Sequence, residues 1–305
     1  MTDIKEILQN IGYQNLKDFG GWFRTKPLYR SSGNSTVLAI NKNTGYWYDY
    51  KLCRGGKFSE LVQISLNLST LTEADKLLAE KYQFNHVVLQ KEKVSNDYAK
   101  TYDTSILKAL INDHSYWVKR GLPEEIVAEF SGGVATKGSM VNRYVFPIFS
   151  TLNKIIGFSG RTLKLALTKD SIKWKHLGPK KDWVYPSHLN KGLIQESKTV
   201  FLVESIGDML SLWNNGYKNV LVTFGLSVSP KIIKFLLENS VERVVVAFNN
   251  DSGKNFAGND ASKKARAKLL TFFDDAQVVV KLPCKKDFGE MSKTDIDLYM
   301  KEFHE

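Results

Sequence analysis

The sequence predicts an α/β protein, α+β overall, in which a parallel sheet flanked by helices follows a basic α+β subdomain and a small β-ribbon domain. Two observations lead to this class. The run Val-Val-Val-Ala-Phe at 244–248 is continuously apolar, as in strands covered on both faces. Across residues 198–283, such runs alternate with helical patterns in a β-α-β-α-β-α-β series, which favours parallel strands joined by right-handed crossovers.

Two predicted parts precede residue 105. Residues 1–68 form the β-ribbon domain, in which two short strands flank an Asn-Lys-Asn-Thr-Gly turn within 35–52 and a helix follows. Residues 69–104 contain a second helix, which Thr70 caps because a glutamate stands three residues later. The polar, aperiodic stretch at 88–101 is predicted to be a linker.

The remaining chain also divides in two. Residues 105–197 are predicted to form the basic α+β subdomain, with two helices broken at 121–123 and an antiparallel strand pair at 143–149 and 154–163. Residues 198–305 form the domain that contains the parallel sheet, and this domain ends in a short helix.

The charge balance indicates an anionic partner. The chain carries 43 Lys and Arg residues against 32 Asp and Glu residues, a net charge of +11, which favours nucleic acid. No apolar run approaches the ~20 residues of a membrane span, and the N-terminus lacks the pattern of a secretion signal, so we expect a cytoplasmic protein. Cys53 and Cys284 are too few for a disulfide framework or a structural zinc site.

Acidic and amide side chains follow three of the four predicted parallel strands. Because the carboxyl ends of parallel strands share one edge of a sheet, we expect these side chains to converge. Such oxygen ligands suit Mg²⁺ or Mn²⁺; the simpler alternative is that each is a helix cap or a solvated loop residue. The candidates are Glu204, Asp208, Asn249, Asp251, Asp287 and Glu290.

Six segments, taken in order, resemble the bacterial (DnaG-type) primases. They are YWVKRGLPEEIVAEFSGG at 116–133, NRYVFPIFSTLNKIIGFSGRTL at 142–163, KWKHLGP at 173–179, FLVESIGDMLSLWNNGYKNVLVTFG at 201–225, VVVAFNND at 244–251 and KKDFGEM at 285–291. The last three resemble the TOPRIM domain, in which a Glu closes the first strand and an Asp-x-Asp closes a later one. The first three resemble the segments that precede TOPRIM in these primases.

The resemblance implies a primase, a DNA-directed RNA polymerase and nucleotidyltransferase that copies single-stranded DNA into short RNA primers during DNA replication. Its partners would be the template and ribonucleoside triphosphates, and its cofactor Mg²⁺ or Mn²⁺. The implied catalytic residues are Glu204, Asp208 and Asp251. The implied metal ligands are Asp208, Asn249, Asp251, Asp287 and Glu290. The basic residues implied beside the nucleotide and the template are Arg143, Arg161 and Lys175.

The sequence departs from the family's pattern in two regions. Asn249 stands where the first Asp of Asp-x-Asp belongs, and four extra residues follow Asp251 before the family's helix start. An amide oxygen still coordinates Mg²⁺ but contributes no charge. At 26–29 and 49–52, non-ligand residues stand where the family places zinc-binding Cys and His, so we expect no zinc. The aromatic residues that either fill this domain's core or stack on template bases are Trp22, Phe23, Trp47 and Tyr48.

The segment 137–191 contains eleven Lys or Arg residues against two Asp residues. This density predicts a groove for a nucleic-acid strand, although lysines are commonly only solvated surface. Within this segment, Trp174 and His176 either stack on bases or pack in the core.

Three functions stay open from the sequence. The first is a compact, bacteriophage-type primase, because the chain ends soon after the TOPRIM-like unit and leaves no room for the usual helicase-binding domain; a replicative helicase of the primosome stays open as a partner. The second is a TOPRIM nuclease, which would use the same acids to cleave DNA. The third is a non-catalytic single-stranded-DNA-binding replication protein, which Asn249 and the lost zinc ligands keep open.

Overall fold

The structure is a computed structural model that describes residues 3–52, 54–84, 100–164, 172–251 and 257–303. The chain forms two compact units. One comprises Met1–Ser95 with Ala267–Val278, and the other comprises Asn96–Arg266 with Val279–Glu305. Cys53 and most of the predicted linker lie outside the described residues.

Among its described residues up to 84, the first unit contains a five-stranded antiparallel sheet and three helices. Its elements are α1 (Ile4–Asn10), β1 (Lys17–Phe19), β2 (Trp22–Thr25), β3 (Leu38–Asn41), β4 (Trp47–Asp49), β5 (Arg54–Gly56), α2 (Phe58–Leu66) and α3 (Leu71–Tyr82). The strands are ordered β1-β2-β3-β4-β5. The predicted hairpin is confirmed, since β3 pairs with β4. Thr70 caps α3 as predicted, because its Oγ1 accepts a hydrogen bond from the backbone N–H of Glu73.

Strand alternation divides the four aromatic residues of this sheet between its two faces. Phe23 and Trp47 are buried and pack with residues of all three helices in one core. Trp22 and Tyr48 lie on the other face and are half-buried. Two of the four therefore fill the core, as the sequence allowed.

A buried carboxylate joins the two segments that stand at the family's zinc-ligand positions. Asp49 is 0% exposed, and its carboxylate accepts hydrogen bonds from the Tyr29 hydroxyl at 2.7 Å and from Arg30 Nε and Nη2 at 2.8 and 2.7 Å. Its Oδ1 also accepts from the backbone N–H groups of Lys51 and Leu52. The carboxylate is thus satisfied by two side chains and a backbone turn.

Residues 267–278 complete the first unit through polar contacts with the segment before β3. The side-chain amide of Asn34 donates to the carbonyl oxygens of Leu270 and Phe273 at 2.8 and 2.6 Å. Ser32 Oγ donates to Asp274 Oδ1 at 2.7 Å. The unit is therefore not contiguous in sequence.

The described residues of the second unit contain two sheets. Its elements up to β10 are β6 (Leu110–Ile111), α4 (Ser115–Val118), α5 (Glu124–Ala128), β7 (Gly133–Ala135), β8 (Arg143–Phe149), β9 (Ile155–Thr162) and β10 (Trp174–Leu177). The elements that follow are α6 (Ser187–Ser197), β11 (Thr199–Val203), α7 (Ile206–Asn214), β12 (Val220–Val222), α8 (Pro230–Glu238), β13 (Arg243–Val246), α9 (Ala257–Leu269), β14 (Val278–Val280) and α10 (Lys293–Lys301).

The predicted α/β class is confirmed. In the four-stranded sheet, ordered β12-β11-β13-β14, β11 runs parallel to both β12 and β13. The predicted pair β8 and β9 is antiparallel and lies at the centre of a five-stranded sheet, ordered β10-β9-β8-β7-β6. Both faces of this pair are covered: Tyr144 and Phe146 belong to the main core, and Val145 and Phe158 belong to a separate cluster on the other face.

The first of the two helices predicted within residues 105–130 is shorter than expected. Residues Thr104–Ala109 form a 3-10 helix and β6 follows, so that α helix begins only at Ser115. Two aspartates cause the interruption, because Asp103 accepts a hydrogen bond from the backbone N–H of Ser105 and Asp113 from that of Ser115. Each starts a new turn instead of extending one helix.

Within the described ranges, no helix is long and apolar enough to cross a lipid bilayer.

Candidate active site

Three of the predicted acidic side chains follow strands of the four-stranded sheet. Glu204 directly follows β11, Asp251 follows β13 and Asp287 follows β14. Since β11 and β13 are neighbours, their ends meet at one edge of the sheet. The negative charges of Asp251 and Asp287 act on Glu204, and those of Asp287 and Glu204 act on Asp208. Glu204 therefore lies near Asp251 and Asp287, and Asp208 lies near Asp287 and Glu204.

Glu204 connects two strand ends. Its Oε1 accepts a hydrogen bond of 2.9 Å from the backbone N–H of Asn249. Burial raises the pKa of the Glu204 carboxyl; the hydrogen bond from Asn249 opposes this shift, whereas the charges of Asp251 and Asp287 add to it. A carboxylate with raised proton affinity at this edge is suited to accept a proton from a reacting group.

Asp208 is buried in the first turn of α7, with 3% of its surface exposed. Its Oδ2 accepts hydrogen bonds from the backbone N–H and the hydroxyl of Ser205 at 3.2 and 2.7 Å, and Ser205 Oγ accepts one from the backbone N–H of Asp208. Burial raises the pKa of Asp208 to about 7, the Ser205 hydrogen bond lowers it, and the charges of Asp287 and Glu204 raise it. Asp208 is thus both the acidic partner of the Ser205 N-cap and an acid at the site.

Asp251 faces the beginning of α9. Its Oδ2 accepts a hydrogen bond of 3.2 Å from the backbone N–H of Gly258, and its own backbone N–H donates to Oδ1 of Asn259 at 3.2 Å. A Cβ at position 258 would collide with the carbonyl oxygen of Asn249, so this close approach requires glycine. The strand end and the helix start hold Asp251 in place.

Two cavities adjoin the acids. The larger, of about 300 Å³, has Glu204, Asn249 and Asp287 in its wall. The smaller, of about 70 Å³, has Asp208 and Asp287 in its wall. The residues that line both cavities are Lys173, Trp174, Ser205 and Asp287. Acidic and basic groups therefore border the same space.

The acidic edge suits a weakly chelated divalent ion. Among the residues that the structure describes, no three Asp, Glu, His or Cys side chains are grouped closely enough to enclose a metal. Mg²⁺ does not require such a cage, because it keeps several waters and usually takes one or two carboxylates together with substrate phosphates. Asp287 and Asn249, which line the larger cavity together, supply one carboxylate and one amide oxygen for such an ion. Glu290 is exposed at the end of the 3-10 turn Phe288–Glu290.

The three predicted basic residues do not share one face of the antiparallel sheet. Arg161 pairs with Trp174 across strands, and both line the smaller cavity. Arg143 precedes Tyr144 and Lys175 follows Trp174, and both of these neighbours pair with Arg161. Because consecutive side chains of a strand point to opposite faces, Arg143 and Lys175 lie on the face opposite Arg161. Both donate hydrogen bonds to backbone carbonyl groups there. The structure thus separates Arg161 from the other two.

Sequence reasoning missed several residues of the cavity walls, among them two basic side chains and a helix cap. Lys173 was overlooked beside Lys175, although it lies just before β10 and lines both cavities. Arg120 lies in the segment YWVKRGL, which carried part of the resemblance, and lines the smaller cavity. Ser205 was detectable, because Ser-x-x-Asp before an apolar run is the spacing of a capping box.

The raised pKa of Asp208 predicts that stability depends on pH in the metal-free protein. The pKa is 3.8 before burial and about 7 in the folded chain, so the folded state holds an extra proton between these values and stability falls as the pH rises through them. In EDTA, we expect the Tm to fall by ~5 °C or more between about pH 5 and about pH 8. Asp208→Asn should reduce this difference in Tm. If the Tm of wild type and variant depends on pH in the same way, the raised pKa does not belong to Asp208.

Comparisons with known proteins identify chains that are similar to this one. Residues 201–292 match the family model described as Toprim-like. The chain is 24% identical to the DNA primase of Helicobacter pylori (strain ATCC 700392 / 26695) over 310 aligned residues, which cover 88% of this chain. The chain is similar to the bacterial DNA primases. The resemblance predicted from the sequence is therefore confirmed.

Solved primase structures share the fold. The Aquifex aeolicus primase (zinc binding and RNA polymerase domains) superimposes with a TM-score of 0.53 at 20% identity, covering 98% of this chain and 83% of that one. A DnaG primase catalytic domain bound to ssDNA gives a TM-score of 0.51 at 20% identity, covering 63% and 71%. The chain spans about half the length of the curated relatives it matches, 53% for the H. pylori primase.

Proposed function

We propose that this chain is a DNA primase, a nucleotidyltransferase that synthesises short RNA primers on single-stranded DNA during replication. The observation that carries the proposal is the larger cavity, where Glu204 and Asp287 face the same space as Lys173, in a chain similar to DNA primases. Phosphoryl transfer depends on carboxylates that hold divalent metal and on cations that bind phosphate oxygens. The cavity supplies both groups.

The incoming ribonucleoside triphosphate is proposed to bind the basic side chains that line the smaller cavity. Arg120, Arg161 and Lys173 line its wall beside Asp208 and Asp287. Burial lowers the pKa of Lys173, as does the charge of Arg161, whereas Asp287 opposes the shift. An anion entering this cavity would offset the repulsion between the two cations.

In the proposed reaction, the 3′-hydroxyl oxygen attacks the α-phosphorus of the incoming nucleotide. The bond from that phosphorus to the bridging oxygen of the β-phosphate breaks, pyrophosphate leaves, and Glu204 accepts the hydroxyl proton. Asp251, Asp287 and the side-chain oxygen of Asn249 are the proposed ligands of Mg²⁺ or Mn²⁺, which supplies positive charge to the phosphates when bound. Asp208 forms the capping box with Ser205 at the start of α7, beside the same site.

The template is proposed to follow the basic surface that includes Arg143 and Lys175. Single-stranded nucleic acid is bound by positive grooves that follow its backbone, and a structural neighbour of this chain is a DnaG domain bound to ssDNA. Ribonucleoside triphosphates are the proposed substrates, a replicative helicase is the proposed further partner, and the proposed location is the cytoplasm.

The N-terminal sheet is proposed to fold without zinc. The contacts that Asp49 makes with Tyr29 and Arg30 join the two segments where the family's zinc ligands stand. A closed structural zinc site needs four Cys or His ligands, and Cys53 is the only thiol near these segments in the sequence.

A primer-synthesis assay tests the proposal. The full chain is incubated with single-stranded DNA, all four ribonucleotides and either Mg²⁺ or Mn²⁺, and we expect short RNA products. Parallel reactions with deoxyribonucleotides measure the sugar preference. Cleaved DNA without RNA products would favour the nuclease instead, and DNA binding without products under either metal would favour the non-catalytic binding protein.

A further inference from the structure

The guanidinium group of Arg161 is held by aromatic neighbours. Arg161 is 7% exposed, its Nε donates a hydrogen bond of 2.8 Å to the hydroxyl of Tyr116, and its Cζ lies 5.7 Å from the ring centroid of Trp174. Among the described residues, its Nη1 has no hydrogen-bond partner. A buried guanidinium N–H without a partner is costly, and Arg161 lines the smaller cavity, where an anion would satisfy it.

Tyr116 contacts two of the three cations of that cavity without lining it. Its hydroxyl accepts the Arg161 hydrogen bond, and the guanidinium carbon of Arg120 lies 5.6 Å from the centroid of its ring. Trp117 packs edge-to-face against the ring of Tyr116, with 5.1 Å between ring centroids. Trp117 also stacks on Trp174, with 6.3 Å between ring centroids. The tyrosine is therefore fixed on one side by aromatic packing and presents its polar end to Arg161.

We infer that Tyr116 is a positioning residue for the phosphates of the incoming nucleotide. Its hydroxyl oxygen accepts the Arg161 Nε–H and so directs the remaining guanidinium donors towards the smaller cavity. An arginine fixed in advance loses less conformational entropy when it binds phosphate than a mobile one does. This inference rests on the proposed function for the identity of the ligand, but the contact itself predicts polyphosphate binding.

Tyr116→Phe isolates the hydroxyl. The phenyl ring keeps its packing against Trp117 and its position below Arg120, and only the hydrogen bond to Arg161 is lost. We expect the Kd for inorganic tripolyphosphate, measured by calorimetry in EDTA, to rise roughly threefold to tenfold. In primer synthesis, the KM for ribonucleotides should rise by a similar factor with little change in kcat, because the contact exists before and during the reaction.

Tyr144→Phe is the matched control. Its hydroxyl is also hydrogen-bonded, to Nδ1 of His114 at 2.7 Å, and the residue is buried in the same core as Trp117. This variant should lower the Tm but leave the Kd for tripolyphosphate unchanged. In an Arg161→Ala background, Tyr116→Phe should have no further effect on that Kd, because the hydroxyl acts only through Arg161.

Several outcomes would overturn the inference. They are an unchanged Kd in Tyr116→Phe, an equal effect of Tyr144→Phe, additive effects of Tyr116→Phe and Arg161→Ala, and a wild-type chain that does not bind tripolyphosphate. A wild type that binds tripolyphosphate through Tyr116 and Arg161 yet makes no primers would leave the inference standing and remove the proposed function.

Discussion

Replacing Asp251 by asparagine is expected to lower primer synthesis by roughly 100-fold or more, the scale of loss for a catalytic carboxylate. The amide oxygen of asparagine can still accept the hydrogen bond from the backbone N–H of Gly258, so the start of α9 keeps its contact. The substitution removes one negative charge from the edge of the parallel sheet, where Glu204 and Asp287 also carry carboxyl groups. Asp251→Ala and Glu204→Gln should lose primer synthesis similarly.

Affinity for single-stranded DNA should be preserved in these variants, because phosphate contacts through lysine and arginine dominate such binding. Primer yield is measured on gels and DNA affinity by fluorescence anisotropy. Asp260→Asn is the control, since Asp260 also lies on α9 but is exposed and, among the residues that the structure describes, forms an ion pair with the surface Lys263 at 3.8 Å. Wild-type primer yield in Asp251→Asn would remove Asp251 from the site, and a comparable loss in Asp260→Asn would indicate damage to the helix instead.

Asp49→Ala is expected to lower the free energy of unfolding of the first unit by ~3–5 kcal/mol, the range for breaking a buried ion pair from one side. The substitution leaves the Arg30 guanidinium without its two bonds to carboxylate oxygens and the Tyr29 hydroxyl without its acceptor. The backbone N–H groups of Lys51 and Leu52 lose their acceptor as well. Urea unfolding, followed by hydrogen exchange within residues 3–84, locates the loss.

Asp18→Ala serves as the comparison for this effect. Asp18 also forms an ion pair in the same sheet, with Lys42 at 2.6 Å, but its side chain is 70% exposed, and exposed pairs contribute little. We expect the unfolding midpoint of this variant to stay near that of wild type. Equal midpoints for Asp49→Ala and wild type, or one zinc per chain by elemental analysis, would show that the buried carboxylate does not hold the two segments together by itself.

The sequence was sufficient to predict the acidic edge of the sheet, because the direction of the strands alone determines where their carboxyl ends lie. Continuous apolar runs such as 244–248 indicate buried parallel strands, and parallel strands place their carboxyl ends together wherever their residues fall in the chain. Glu204 and Asp251 could therefore be assigned to one place without any knowledge of side-chain contacts. The same argument located Asp287 after the last strand.

The basic residues could not be located in this way, because they depend on antiparallel register. A shift of one position along a strand moves a side chain to the other face of the sheet. No signal in the sequence indicated that Arg143 pairs with Thr162 or that Lys175 pairs with Gly160. The Asp49 contacts were also missed, because Tyr29 and Arg30 come from a segment without regular periodicity. Such contacts depend on tertiary packing rather than on local pattern.

The hydrogen bond between Ser32 and Asp274 spans 242 positions of the chain, and this separation has a consequence during synthesis. At ~5–20 residues per second, a ribosome needs roughly 12 to 50 s after residue 32 to deliver residue 274. For that interval, Ser32 and Asn34 lack the acceptors that residues 270–274 supply, although Ser32 Oγ can still donate to the carbonyl oxygen of Asn34. The first unit is thus completed only after the intervening residues, which belong to the second unit, have been translated.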